Sequence, residues 1–181
     1  MIKSDREHVI RLHLDEVSQL FNTLDPSPFV GRDLDVDAEI FITEWAEELP
    51  SSGRFRLEVL VSRCDDVAAA RDRVHRSVRA YFGGRVQVAR RDLSRLLGEG
   101  RISLLIGSVF LAACLTASRL LDRYAGDNGF VVLLSESLLI GGWVAMWRPL
   151  EIFLYEWWPL ARRIRLLRRL AEIEVHLGHS G

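Results

Sequence analysis

Polar and apolar positions change rhythm several times along this chain. From Glu7 to Leu14 (EHVIRLHL) they partly alternate, which predicts a short strand. Asp15 to Leu24 then carries Val17, Leu20, Phe21 and Leu24 at the spacing of a helical turn or two. The segment Asp25 to Phe29 (DPSPF) must leave any helix, because each proline lacks an N–H and restricts the residue before it. A helical period follows up to about Leu49, with Asp33 or Asp35 as cap and an acidic first turn that suits the helix dipole. Ile40, Phe41, Trp45 and Leu49 would be its apolar face, and Trp45 is expected in the core. Pro50-Ser51-Ser52-Gly53 ends it. Phe55 to Arg63 is the clearest strand, with Phe55, Leu57, Val59 and Val61 on one side. Strand, helix and strand in that order predict a right-handed βαβ unit.

Asp65-Asp66 should cap the next helix, with Val67, Ala70, Val74, Val78 and Tyr81 or Phe82 on its apolar face. Gly83-Gly84 is expected to break or bend it. A second run from Arg85 to Leu97 carries Val86, Ala89, Leu93 and Leu96 on one side and arginines on the other, and Gly98-Glu99-Gly100 could be a hinge. The alternation then disappears. Ile102 to Leu121 and Phe130 to Trp147 are apolar throughout, each close to the ~20 residues that cross a bilayer core as a helix. The polar link between them, Asp122 to Gly129, is short enough to force an antiparallel hairpin. A buried hairpin of a soluble protein is the competing reading, and Arg119 and Glu136 interrupt the apolar runs. Three features favour the membrane: the segment lengths, the cluster Trp143, Trp147, Tyr155, Trp157 and Trp158 at one end, and the arginine asymmetry. Arg85, Arg90, Arg91, Arg95 and Arg101 precede the hairpin and Arg162, Arg163, Arg165, Arg168 and Arg169 follow it, so both termini are expected in the cytoplasm. Pro149 should kink the chain at the interface. Leu160, Ile164, Leu167 and Ala171 then line one face of an arginine-rich amphipathic helix, suited to anionic lipid or to the head.

The expected class is therefore an α+β membrane protein: a cytoplasmic βαβ-type head over residues 1–84, a basic helical connector over 85–101, a transmembrane hairpin over 102–158 with spans 102–121 and 130–148, and an amphipathic helix and tail over 159–181. The net charge of −1 conceals a polarity. Residues 1–66 carry 15 Asp and Glu against 7 Lys and Arg, and the remainder carries 10 against 17. Only Lys3 is a lysine. Cys64 and Cys114 are not placed to pair, which fits a reducing compartment. MIKSDREHVI lacks the apolar core of a signal peptide, so insertion is expected to use the hairpin itself.

Few positions suggest chemistry. Glu136 lies inside the second apolar run, where a carboxylate is costly and is by default functional. It could pair with Arg119 across the hairpin, line an ion pathway, or bond between subunits. Gly107, Gly141 and Gly142 permit close helix approach, within the hairpin or between copies. Trp157, Trp158 and the arginines at 162, 163, 165, 168 and 169 suit lipid headgroups. Asp33, Asp35 and Asp37 resemble an alternating cation site, but capping explains them better. His176 and His179 have a helical metal-ligand spacing in what reads as a solvated tail; His8, His13 and His75 are isolated. No nucleophile–base pattern, phosphate-binding loop or CxxC occurs, so no catalytic residue, metal or cofactor is expected. The basic face of 85–101 could touch nucleic acid, but lipid lies closer, and no nucleic-acid partner is expected.

The phrases FNTLDPSPFVGRDLDVDAEIFITEWAEELP and GGWVAMWRPLEIFLYEWWPL resemble a group of small bacterial inner-membrane proteins with two membrane helices. The resemblance extends over most of the chain. It implies a bacterial origin and the two-helix topology, and it brings no activity or catalytic residues. Three functions follow as expectations. The first is a homo-oligomer, because a small βαβ unit has open strand edges and a lone hairpin leaves Glu136 facing lipid. The second is a membrane-tethered binding or sensor module whose acidic head recruits a cytoplasmic partner. An interfacial enzyme acting on lipid through Asp33, Asp35 and Asp37 comes last.

Overall fold

The computed structural model describes residues 7–22, 33–50, 53–63, 66–124 and 129–179. The proline-rich breaker at 25–29, Cys64 and the centre of the polar link at 125–128 lie outside these described residues. The chain is mixed α/β. In order it forms β1 (Glu7–Glu16), a 3-10 turn (Val17–Leu20), α1 (Val36–Glu48), β2 (Arg54–Arg63) and α2 (Val67–Tyr124). Then come α3 (Gly129–Ala145), α4 (Trp147–Glu151), a π turn (Ile152–Glu156), α5 (Trp157–Ala171) and β3 (Glu174–His179). It divides into two compact units, Met1–Ala89 with Arg162–Gly181, and Arg90–Ala161.

The first unit, the head, is built on a three-stranded parallel sheet in the order β1-β2-β3. The register aligns Ile10 with Leu57 and Leu57 with Val175, so one face of all three strands is apolar. On it Ile10, Phe55, Leu57, Val59, Val61 and Val175 are buried. The other face is polar. Arg11 and Glu58 are register partners there, and Arg11 Nε donates to Glu58 at 2.9 Å. Parallel neighbours need crossovers, and two right-handed crossovers that advance in one direction put every helix on the same face. The one-sided pattern of the strands agrees with that arrangement.

Asp35 caps α1, accepting from the Asp37 N–H at 3.0 Å. The helix buries Ala38, Ile42 and Ala46. This overturns the expected face: Trp45 is 45% exposed and Ile40 48%. Both sets of residues repeat every four positions, so periodicity could not choose between them. The alanines win because small side chains let a helix backbone come close to its neighbours. In α2, Ala70, Val74, Val78, Phe82, Val86 and Ala89 are buried. The Asp66 carboxylate accepts from the Ala69 N–H at 3.0 Å and caps its start. The helix runs unbroken through Gly83-Gly84 and through Gly98 to Gly100, where a break and a hinge were expected. A helical glycine costs only about 1 kcal/mol relative to alanine, too little to stop a long helix anchored by Phe82 and Val86.

The C-terminal segment also departs from expectation. Ile164, Leu167 and Leu170 of α5 are buried with Ile173 and Val175, so the helix belongs to the head. Residues 174–179 are the third strand of the sheet, not a polar tail. EVHLGH carries only two alternating apolar residues, and its strand conformation depends on pairing with β2. Arg71 Nε on α2 donates to the Val175 carbonyl at 3.2 Å. Arg169 donates to the Gly53 carbonyl at 3.0 Å and stacks over the Phe55 ring at 3.9 Å. Gly53 sits at φ 120°, a backbone that favours glycine.

The second unit is an apolar hairpin. α2 and the stretch Gly129–Ala171 are each long and apolar enough to cross a membrane. Only 11% of each most apolar window is buried, unlike the core helix of a soluble protein. The covered positions are Gly107, Leu111, Cys114, Ser118 and Leu121 on α2, and Val131, Ser135, Leu138, Gly142 and Ala145 on α3. Their alternating spacing of four and three residues is that of helices crossing at a shallow angle. Ser118 Oγ and Ser135 Oγ share a hydrogen bond at 2.6 Å, which sets the register.

Candidate functional site

Small residues position the hairpin. A Cβ on Gly142 would lie 2.8 Å from Leu111 Cδ1 and 3.2 Å from Cys114 Cβ. A Cβ on Gly107 would lie 2.9 Å from the Ala145 carbonyl oxygen. That carbonyl stands four residues before Pro149, which has no N–H to offer it. The helix accordingly breaks at Met146, and Pro149 falls in the first turn of α4, where a missing N–H is tolerated. The expected kink is therefore placed three residues ahead of the proline. Gly107 and Gly142 thus serve the hairpin itself, while Gly141 faces open space.

Arg119 and Glu136 follow Ser118 and Ser135, one residue off the seam on each helix. Both are exposed, and among the described residues no hydrogen bond or ion pair joins them. The structure therefore does not bring together the pair that sequence reasoning paired. The interaction across the seam at that level is the serine pair instead. Beyond the hairpin, Arg148 is bridged to Glu151 and Glu156. Trp143, Trp147, Tyr155, Trp157 and Trp158 are all exposed.

The head holds a cluster that the sequence did not announce. Glu39 of α1 accepts from Tyr81 Oη at 2.6 Å and from Arg85 at 2.6 and 2.9 Å. Tyr81 and Arg85 are one turn apart on α2, so both reach one carboxylate. Burial, then the Glu39 hydrogen bond and its charge, hold the Tyr81 phenol well above its ordinary pKa of 10.0. Burial pulls the Arg85 guanidinium down, but Glu39 outweighs it and the net shift is upward. A cleft of about 320 Å³ opens beside them, lined by Asp33, Ser77, Ala80, Tyr81, Gly84, Arg85 and Val88. The cluster clamps α1 to α2; it contains no nucleophile with an adjacent base. Nothing in the sequence linked Glu39 to Tyr81, since one more glutamate in an acidic helix carries no signal.

Of the other candidates, Asp35 is occupied as a cap, and Asp33 and Asp37 are exposed. No group of three or more His, Cys, Asp or Glu is arranged to hold a metal ion among the described residues. His176 lies in β3, 4.0 Å from Glu174, so the helical spacing that would have let it share a metal with His179 is absent. Arg162, Arg163, Arg165 and Arg168 are exposed on α5, and Arg169 is half-buried by its bond to Gly53. Burial lowers the Arg169 pKa. No protein-family model, curated protein or solved structure matches this chain.

Proposed function

We propose that this chain is a homo-oligomeric protein of a bacterial inner membrane, with both termini in the cytoplasm and its heads ringed at the surface as a scaffold or pore. The observation that carries the reading is Glu136, exposed on an apolar hairpin and bonded to no described residue. Facing acyl chains, such a carboxylate is costly; a neighbouring copy removes the exposure. Copies arrayed about an axis along the membrane normal hold equivalent residues at equal depth. Arg119 and Glu136 flank the serine pair that sets one level in the hairpin, so Arg119 of one copy suits Glu136 of the next. Gly141, open in the single chain, provides room for that approach. Arg162, Arg163, Trp157 and Trp158 suit anionic headgroups. The acidic head leaves a second reading, a tethered module that recruits a cytoplasmic partner, favoured by the apolar residues that α1 exposes.

Particle mass in detergent tests the proposal. The wild-type chain should run as a multimer, Glu136→Gln and Arg119→Gln should each lower the mass, and exchanging the two charges should restore it. A monomeric wild-type chain would overturn the reading.

A further inference from the structure

The head presents an unpartnered helix face. Opposite its buried residues α1 exposes Val36 at 61% and Ile40 at 48%, flanked by Trp45, which stacks on Phe41 at a ring separation of 5.9 Å. Asp37, Glu44, Glu47 and Glu48 rim these side chains and are exposed. From Asp33 to Glu48 there are seven Asp and Glu and no Lys or Arg. Large apolar side chains inside an acidic rim match a surface of opposite charge that can also lie flat on an indole.

The same head carries that surface. α5 turns Ile164, Leu167 and Leu170 inward and holds Arg165 and Arg168 exposed. Arginine is the cation suited to this face, because its planar fork pairs with carboxylates and stacks on aromatic rings. The topology keeps the two surfaces apart within one copy. α1 leads from β1 to β2, and α5 leads into β3 at the other edge of the sheet. α2 stands between them, bonded to α1 through Glu39 and to β3 through the Val175 carbonyl.

We infer that the outward face of α1 docks the outward face of α5 on a second copy, with Arg165 and Arg168 against Glu44, Glu47 and Trp45. Different patches on one head make the contact heterologous, so it repeats head to tail and closes into a ring where the rotation allows. The inference rests on the homo-oligomer reading and names its head interface. It also assigns the arginines: Arg162 and Arg163, nearest the apolar hairpin in sequence, go to headgroups, and Arg165 and Arg168 go to the neighbouring head.

The test is the mass of the full chain in detergent, with thermal unfolding as a control on folding. Glu44→Arg with Glu47→Arg should weaken self-association at least tenfold, and adding Arg165→Glu with Arg168→Glu should restore it. Trp45→Ala, which leaves all charges in place, should weaken it by a smaller factor. If the wild-type chain is an oligomer and the α1 charge reversals leave its mass unchanged, the docking is wrong and the homo-oligomer stands. If the reversals lower the mass and the α5 reversals fail to rescue it, α5 is not the occupant. If Arg165→Glu with Arg168→Glu leaves the mass unchanged but abolishes binding to anionic vesicles, those arginines serve lipid and the inference falls. A wild-type monomer removes the homo-oligomer reading and the inference together.

Discussion

Glu39 accepts hydrogen bonds from two side chains of a helix that begins nearly thirty residues further along the chain, so its neighbours decide how the head responds to change. Tyr81→Phe should lower head stability by about 1–2 kcal/mol, the scale of a hydrogen bond to a charged group, measured by chemical unfolding. The sign of the pH effect follows from the phenol. Its folded pKa lies above 10.0, so the folded state holds the proton more tightly than the unfolded chain. That stability is fully present below pH 10 and declines as the pH rises beyond it; in Tyr81→Phe this part of the alkaline loss should vanish. Trp45→Ala should shift unfolding by less than about 1 kcal/mol, as a half-exposed position implies. A loss of ~3 kcal/mol or more would restore Trp45 to the core. Gly107→Ala should disorder the hairpin, because its new Cβ meets a backbone oxygen at 2.9 Å that cannot swing away. At this scale the sequence was partly legible. Glu136 and the packing glycines stood out as unusual residues in apolar runs. The burial of Ala38 over Ile40, and the serine pair in place of Arg119 with Glu136, depend on helix rotation about the axis, which residue spacing alone leaves open.

Among the elements, those with strong periods were legible: β2, α1 and the two apolar runs. Asp35 and Asp66 also proved to be the caps that their positions suggested. The continuity of α2 was not, because glycine pairs read as breaks when their surroundings are unknown. Nothing lies within 4 Å of a Cβ built on Gly83, Gly84 or Gly98. Gly83→Ala and Gly98→Ala should therefore each stabilise the helix by about 1 kcal/mol, read as a higher unfolding midpoint. A drop in midpoint would mean that these glycines bend the helix after all. β3 was missed for a different reason. A parallel strand that pairs along one edge carries its signal in its partner, and Val175 and Leu177 alone cannot announce it.

At the scale of the whole molecule, the head is made from both ends of the described chain, with the hairpin inserted between β2 and β3. Val175→Asp places a charge in the buried layer beside Leu57, so protease should cut residues 36–63 faster although they lie far away in sequence. Unchanged digestion would mean that the two-stranded remainder is stable by itself. The same insertion sets an order in time. The bond from Arg71 to Val175 spans 104 residues, which a ribosome working at roughly 5–20 residues per second adds in about 5–20 s. Throughout that interval β2 shows a bare edge of hydrogen-bonding groups, the kind that recruits other chains. Both apolar runs leave the ribosome inside the same interval. The head is thus a late product of synthesis, and a nascent chain stalled within the hairpin holds an unfinished sheet that only a chaperone or further translation can shield.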